Sequence, residues 1–116
     1  MTRHHRCVDD AILLVTKLLA GREYEELVRI SGGERLSADE LREAVLDYGT
    51  EVVFSPRVVD DASVVAIQIS GLAQWSVNVP LWTREEQPSD LTLSLTVSAA
   101  DSPLGYTVEI DDLHVL

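Results

Sequence analysis

The chain has 116 residues, 46% of them hydrophobic, and carries 9 basic against 20 acidic side chains for a net charge of −11. This is the length and composition of one globular domain, which excludes a disordered chain. The deficit of Lys and Arg argues against binding to DNA, RNA or an anionic membrane, because displacing condensed counterions requires cations. The single cysteine, Cys7, rules out an internal disulfide framework and suits a reducing compartment.

Residues 1–6 are polar and read as a mobile tail of a single domain spanning 1–116. Helical spacing starts at once. Val8, Ala11, Ile12, Val15, Leu18 and Leu19 form one stripe over a helix at 7–20, with Leu13 on the other side and Gly21 as the stop. Asp9, Asp10 and Lys17 separate this helix from a signal-peptide pattern. No apolar run reaches the roughly 20 residues of a membrane span, so a cytoplasmic location is expected. A second helix at 22–30 carries Tyr24, Leu27 and Val28 on one side and ends at Ser31-Gly32-Gly33. The third, 38–48, has the strongest local signal. Ser37 and Glu40 make a capping box, Leu36 and Leu41 a hydrophobic staple, and Gly49 the stop. Its buried stripe is Leu41, Ala44, Val45 and Tyr48.

Strands follow. A short one is expected at 51–54, ended by Ser55-Pro56. Val65, Ile67 and Ile69 alternate in 63–69, and Trp75, Val77, Val79 and Leu81 in 74–82. Pro80 cannot donate to a ladder, so the second of these strands is an edge there or carries a bulge that would turn Trp82 toward the core. After a loop at 83–89, residues 91–97 alternate Leu-Thr-Leu-Ser-Leu-Thr-Val, with Thr92 and Ser94 outward. A turn at 101–105 leads to a last strand with Tyr106, Val108 and Ile110 inward, ending near Leu113 or later. Helices first and a strand meander after imply an α+β fold, with three N-terminal helices on one face of a curved, mainly antiparallel sheet of four or five strands.

This order resembles the nuclear-transport-factor-2-like roll. The resemblance rests on the turn Leu19-Ala20-Gly21-Arg22-Glu23-Tyr24-Glu25-Glu26-Leu27 and the strand Tyr106-Thr107-Val108-Glu109-Ile110-Asp111-Asp112-Leu113. It implies a cavity between helices and sheet, suited to a small molecule or to catalysis. The strings Leu81-Trp82-Thr83-Arg84-Glu85-Glu86, Ser89-Asp90-Leu91-Thr92-Leu93 and Val108 to Leu116 resemble a small bacterial domain family of unknown function. That resemblance implies a bacterial cytoplasmic protein and brings no activity with it.

Candidate sites are few. His4, His5 and Cys7 are soft-metal ligand types but lack a second ligand pair, and structural zinc takes four protein ligands. Asp111, Asp112 and His114 hold a carboxylate and an imidazole that a strand would point the same way, an acid–base pair without a nucleophile. We therefore expect no catalytic residues, metal or cofactor. Trp82, Arg84, Glu85, Glu86 and Asp90 lie on or beside the longest sheet loop and are the expected partner-binding residues, since Trp and Arg favour interface hot spots. Tyr24, Tyr48, Trp75 and Tyr106 are the residues that would line a pocket. Asp39, Glu43 and Asp47 form an acidic stripe on the third helix.

Residues 1–50 hold seven basic and ten acidic side chains, a balance of −3. Residues 51–116 hold two and ten, a balance of −8. An acidic sheet is a statement about partners. The expectation is a non-catalytic module that binds a basic protein, of the immunity type against a toxin or nuclease. The alternative is a pocketed small-molecule-binding or enzymatic roll. A homodimer through the exposed sheet face or Leu13 is a third reading.

Overall fold

The computed structural model describes residues 5–32, 35–69 and 71–115. Three helices, α1 (Arg6–Ala20), α2 (Tyr24–Ser31) and α3 (Ala38–Tyr48), precede a 3-10 turn (Pro56–Asp61). Four strands follow: β1 (Ser63–Ile69), β2 (Leu72–Pro80), β3 (Leu91–Ala99) and β4 (Tyr106–Val115). The strands form one open antiparallel meander in the order β1-β2-β3-β4. The fold is α+β with the helices N-terminal to the strands, as the order of periodicities requires. The sheet has four strands and stays uncurled.

The helices begin and end as their sequences direct. His5 Nδ1 accepts from the Cys7 backbone N–H and caps α1, so residues 5 and 6 of the expected tail belong to the helix and its cap; the first four residues of that tail lie outside the described residues. Gly21 ends α1 with φ −82°, and Arg22 takes the left-handed turn instead, at φ 59°. On α3 both halves of the capping box are made. Ser37 Oγ accepts from Glu40 N at 3.1 Å, and Glu40 Oε1 accepts from Ser37 N at 3.0 Å. Gly49 closes that helix at φ 90°, a conformation open to glycine without a Cβ clash. Leu13 is half-buried against the core rather than exposed.

Residues 51–54 do not form a strand. They make a single bridge, Val52 to Thr83, before Ser55 caps the 3-10 turn by accepting from Arg57 N. The proline at 56 cannot extend a ladder there, and the turn it starts was not legible in the periodicity.

The core lies between α1, α2, α3 and one sheet face. Val8, Ile12 and Val15 from α1, Leu27 from α2 and Leu41 from α3 meet Val77 and Val79 of β2 and Leu93, Leu95 and Val97 of β3, all fully buried. Fully burying a side chain of this kind is worth roughly 1.5–3 kcal/mol. Thr16 fits the same face because its Oγ1 donates to Ile12 O at 2.7 Å.

The parity of β1 differs from expectation, while that of β4 holds for Tyr106, Val108 and Ile110 and then changes. On β1, Val65 stands opposite Ser76 and Ile67 opposite Gln74. Cross-strand partners share a face, so Val65 and Ile67 lie on the helix-free side and Val64 faces the core; the side chain of Ile69 lies outside the described residues. On β4, a register shift at Ser94/Leu95 leaves Asp111 as an extra residue between Ile110 and Asp112. This bulge reverses the alternation, so the even residues Tyr106, Val108 and Ile110 and the odd Leu113 all face inward. Thr92, expected outward, is only 2% exposed between its neighbours Pro80 and His114. Pro80 itself is accommodated by the edge alternative. Leu81 donates toward Leu91, so the preceding residue turns away from β3, and β1 ends its pairing at Asn78.

Candidate functional site

The β2–β3 connection is built as a braced loop. Thr83, fully buried, closes its base, with its backbone N–H reaching Glu86 O at 2.8 Å. Its hydroxyl donates to Glu86 O and accepts from Glu86 N. Ser89 ties the far end, donating to Leu81 O from both N and Oγ at 2.8 Å. Gln87–Pro88 is a cis peptide.

Residues outside the loop hold it from two sides. Segment 51–53 contributes Glu51 O to Arg84 N at 2.9 Å and Val53 N to Trp82 O at 2.9 Å. The Arg84 guanidinium grips the Glu51 carboxylate with Nη2 at 2.6 Å and Nε at 3.1 Å. From α3, the Tyr48 hydroxyl donates to Glu86 Oε1 at 2.6 Å and accepts from Asp90 N at 3.2 Å. The bond to Glu86 raises the Tyr48 pKa above its usual value, since the phenol must keep its proton to donate, and desolvation adds to the rise.

Trp82, Arg84, Glu85, Glu86 and Asp90 therefore divide into anchors and free groups. Trp82 is half-buried, its indole N–H on Asp61 Oδ2 at 2.9 Å and the Arg57 guanidinium 5.8 Å above its ring. The 3-10 turn, rather than a bulge, decides where this tryptophan packs. All four charged side chains are exposed; Arg84 and Glu86 tie the loop to Glu51 and Tyr48, while Glu85 and Asp90 project from it. Tyr48 belongs to this network, which sequence reasoning missed because only the packing of α3 against the loop brings residues 48 and 86 together.

The aromatic set is dispersed. Tyr24 and Tyr106 are buried in the core, and Trp75 stacks on His5 with centroids 4.6 Å apart. Burial raises the Tyr106 pKa, with the charge of Asp10 adding to it. Tyr24 also borders an open cleft of about 440 Å³ between the α1–α2 turn, α3 and residues 49–52. Arg22, Arg42, Leu46 and Val52 share that lining, and the Arg42 guanidinium lies 5.4 Å above the Tyr24 ring.

Asp112 and His114 do point the same way, with Nδ1 3.1 Å from Oδ2, though the contact is not aligned as a hydrogen bond. Cross-strand from them lie Ser94 and Thr92. His5 is occupied as a cap and a stacking partner, and the Cys7 thiol lies 3.8 Å from Gly105 O; His4 lies outside the described residues. Among the described residues no three His, Cys, Asp or Glu side chains converge where an ion could sit. No helix among them is long and apolar enough to cross a membrane.

The family model of a domain of unknown function (DUF7668) matches residues 16–116. The chain belongs to that family. The matched span contains the braced loop and all four strands, and it agrees with the resemblance carried by the Leu81–Glu86 and Ser89–Leu93 strings. Val8, Ala11, Ile12 and Val15 precede the span, yet they are fully buried beneath the sheet. No curated protein and no solved structure matches the chain.

Proposed function

We propose that this protein is a non-catalytic, acidic protein-binding module acting in the bacterial cytoplasm. It takes a basic protein as partner, and an immunity-type inhibitor of a basic toxin or nuclease is the fitting class. The observation that carries this reading is the braced acidic loop. Thr83 and Ser89 spend their bonds inward, Arg84 and Glu86 bond at the surface to Glu51 and Tyr48, and Glu85 and Asp90 project from a backbone already held in place. Preorganisation of this kind reduces the ordering entropy lost on association. Charge complementarity then speeds encounter and selects partners, while buried anchors supply affinity. The balance of −8 over residues 51–116 gives the field its sign.

The test is capture from native lysate followed by binding kinetics with the captured protein. The expected partner is basic. Its association rate falls as salt rises through about 0.15 M, where the Debye length is roughly 8 Å. Glu85→Lys and Asp90→Lys slow association and leave the fold intact. Association that ignores both salt and these charge reversals would remove the loop from the function.

A second reading, a small-molecule-binding roll, draws its support from the cleft beside Tyr24, whose volume of about 440 Å³ falls in the range of ligand sites. Of the two guanidiniums on its wall, Arg22 lies 3.8 Å from Glu51, which shares the lining, and Arg42 pairs with Asp39, so an organic carboxylate would compete with those acids for them. A thermal-shift screen of organic carboxylates against the parent and Arg42→Ala decides this reading, with a shift confined to the parent supporting it.

A further inference from the structure

The sheet has two edges, and they are treated differently. β4 lies against α2 and α3, and Arg35 pairs with Glu109 and Asp111 along it. β1 packs on β2, and Ser63, Val65 and Ala66 are exposed. Val65 keeps 65% of its surface in water.

The register says which backbone groups of β1 turn away from β2. Leu81 donates its N–H to Leu91, so odd residues of β2 turn their backbone groups toward β3 and even ones toward β1. Gln74, Ser76 and Asn78 meet Ile67, Val65 and Ser63. Those three residues of β1 therefore bond to β2, and Val64, Ala66 and Gln68 point their N–H and C=O groups outward.

Exposed edges are ordinarily guarded by Lys, Pro, a bulge or a covering element. Ser63–Ile69 has no charge and no proline, and it pairs with β2 in unbroken register. The neutrality extends further. From Ala62 to Thr83 the chain carries no charged side chain, although its net charge is −11.

We infer that β1 pairs antiparallel with β1 of a second copy of this chain, about a two-fold axis at Ala66, giving one sheet continuous across a dimer. In that register Ala66 stands opposite the second copy's Ala66, and Val64 opposite its Gln68, which matches outward groups to outward groups. Val65 stands opposite the second copy's Ile67 on the helix-free face. That pair is of the non-hydrogen-bonded kind, in which side chains approach most closely. The exposed valine gains an apolar neighbour, and symmetry repeats the contact.

Charge selects this occupant. A basic partner finds nothing acidic to meet along 62–83. Two copies, which repel each other over most of their surfaces, can approach along this neutral strand. The acidic edge strand β4 is three strand spacings away, roughly 14 Å, which exceeds the Debye length of about 8 Å at 0.15 M salt. The inference uses a different surface from the braced loop and does not rest on the proposed function.

The experiment is sedimentation velocity over a wide concentration range on the parent, Val65→Lys and Ala66→Pro, with amide hydrogen exchange on the parent. Ala66→Pro removes an outward N–H and spares the ladder to β2. The parent is expected to sediment as a dimer and both variants as monomers with the parent's circular dichroism. The Val64 and Ala66 amides are expected to be protected at high concentration and to exchange faster on dilution. A parent that is monomeric at every concentration overturns the inference and leaves the edge to some other chain's strand. A dimer that survives both substitutions, or whose Val64 and Ala66 amides exchange freely, overturns it equally. The exchange data on the parent decide alone if either variant fails to fold.

Discussion

Tyr48 shows how much one side chain can settle. It ends α3, and its hydroxyl joins the Glu86 carboxylate to the Asp90 backbone. The neutral phenol is the donor, so the native state holds that proton more tightly than the unfolded chain does, where tyrosine titrates near 10. The bond's contribution is complete below about pH 10 and is lost as pH rises through the raised native value. Tyr106 adds a loss of the same sign, because burial raises its pKa too. Denaturant unfolding compared between about pH 8 and about pH 11 should therefore show a smaller fall in stability for Tyr48→Phe than for the parent. Equal falls would mean that the Tyr48–Glu86 bond does not operate in solution.

At the scale of elements, β4 is the instructive case. A regular strand with Tyr106, Val108 and Ile110 inward would send Leu113 to solvent. The extra residue Asp111 reverses this, and Leu113 packs opposite Leu93. Asp111 is held by Thr96 Oγ1 at 2.7 Å and by Arg35 at 3.4 Å, so both neighbours stabilise the bulge. Leu113→Ala should destabilise by about 2–5 kcal/mol, as core truncations do. Val115→Ala, on a side chain 58% exposed, should stay within roughly 0.5 kcal/mol. Urea titrations of the two variants give the comparison, and equal midpoints would mean that the bulge is misplaced. α3 needed no such correction. Its cap and its stop are interactions between residues a few positions apart and formed as expected, and of its stripe Leu41 and Val45 are buried while Ala44 and Tyr48 are half-buried.

Over the whole molecule, charge and neutrality are segregated along the chain. The acidic groups crowd the helices, the braced loop and β4, while the hairpin of β1 and β2 carries none. Twenty acidic side chains against nine basic ones make the compact state self-repelling. The melting temperature should therefore rise when salt is raised from about 0.01 M to about 0.15 M, as the Debye length shrinks from roughly 30 to 8 Å. A midpoint that stays flat or falls would show that the ion pairs around Arg84, Arg35 and Arg42 outweigh the repulsion.

The amino-acid sequence by itself determined whatever depends on near neighbours. It set the three helices, the α+β order, the inward set of β3 and the acidic character of the C-terminal half. It also named the loop at 83–89 and the residues Trp82, Arg84, Glu85, Glu86 and Asp90 on or beside it. Tertiary structure decided which of those five brace the loop and which project from it, because the partners Glu51, Asp61 and Tyr48 come from other segments. It also decided the parity of β1. Alternation shows that two faces differ but not which face meets the helices, and that choice was made by pairing Val64 with Val77 across the hairpin. The bulge at Asp111 escaped the sequence for the same reason: an inserted residue is defined only against the strand beside it.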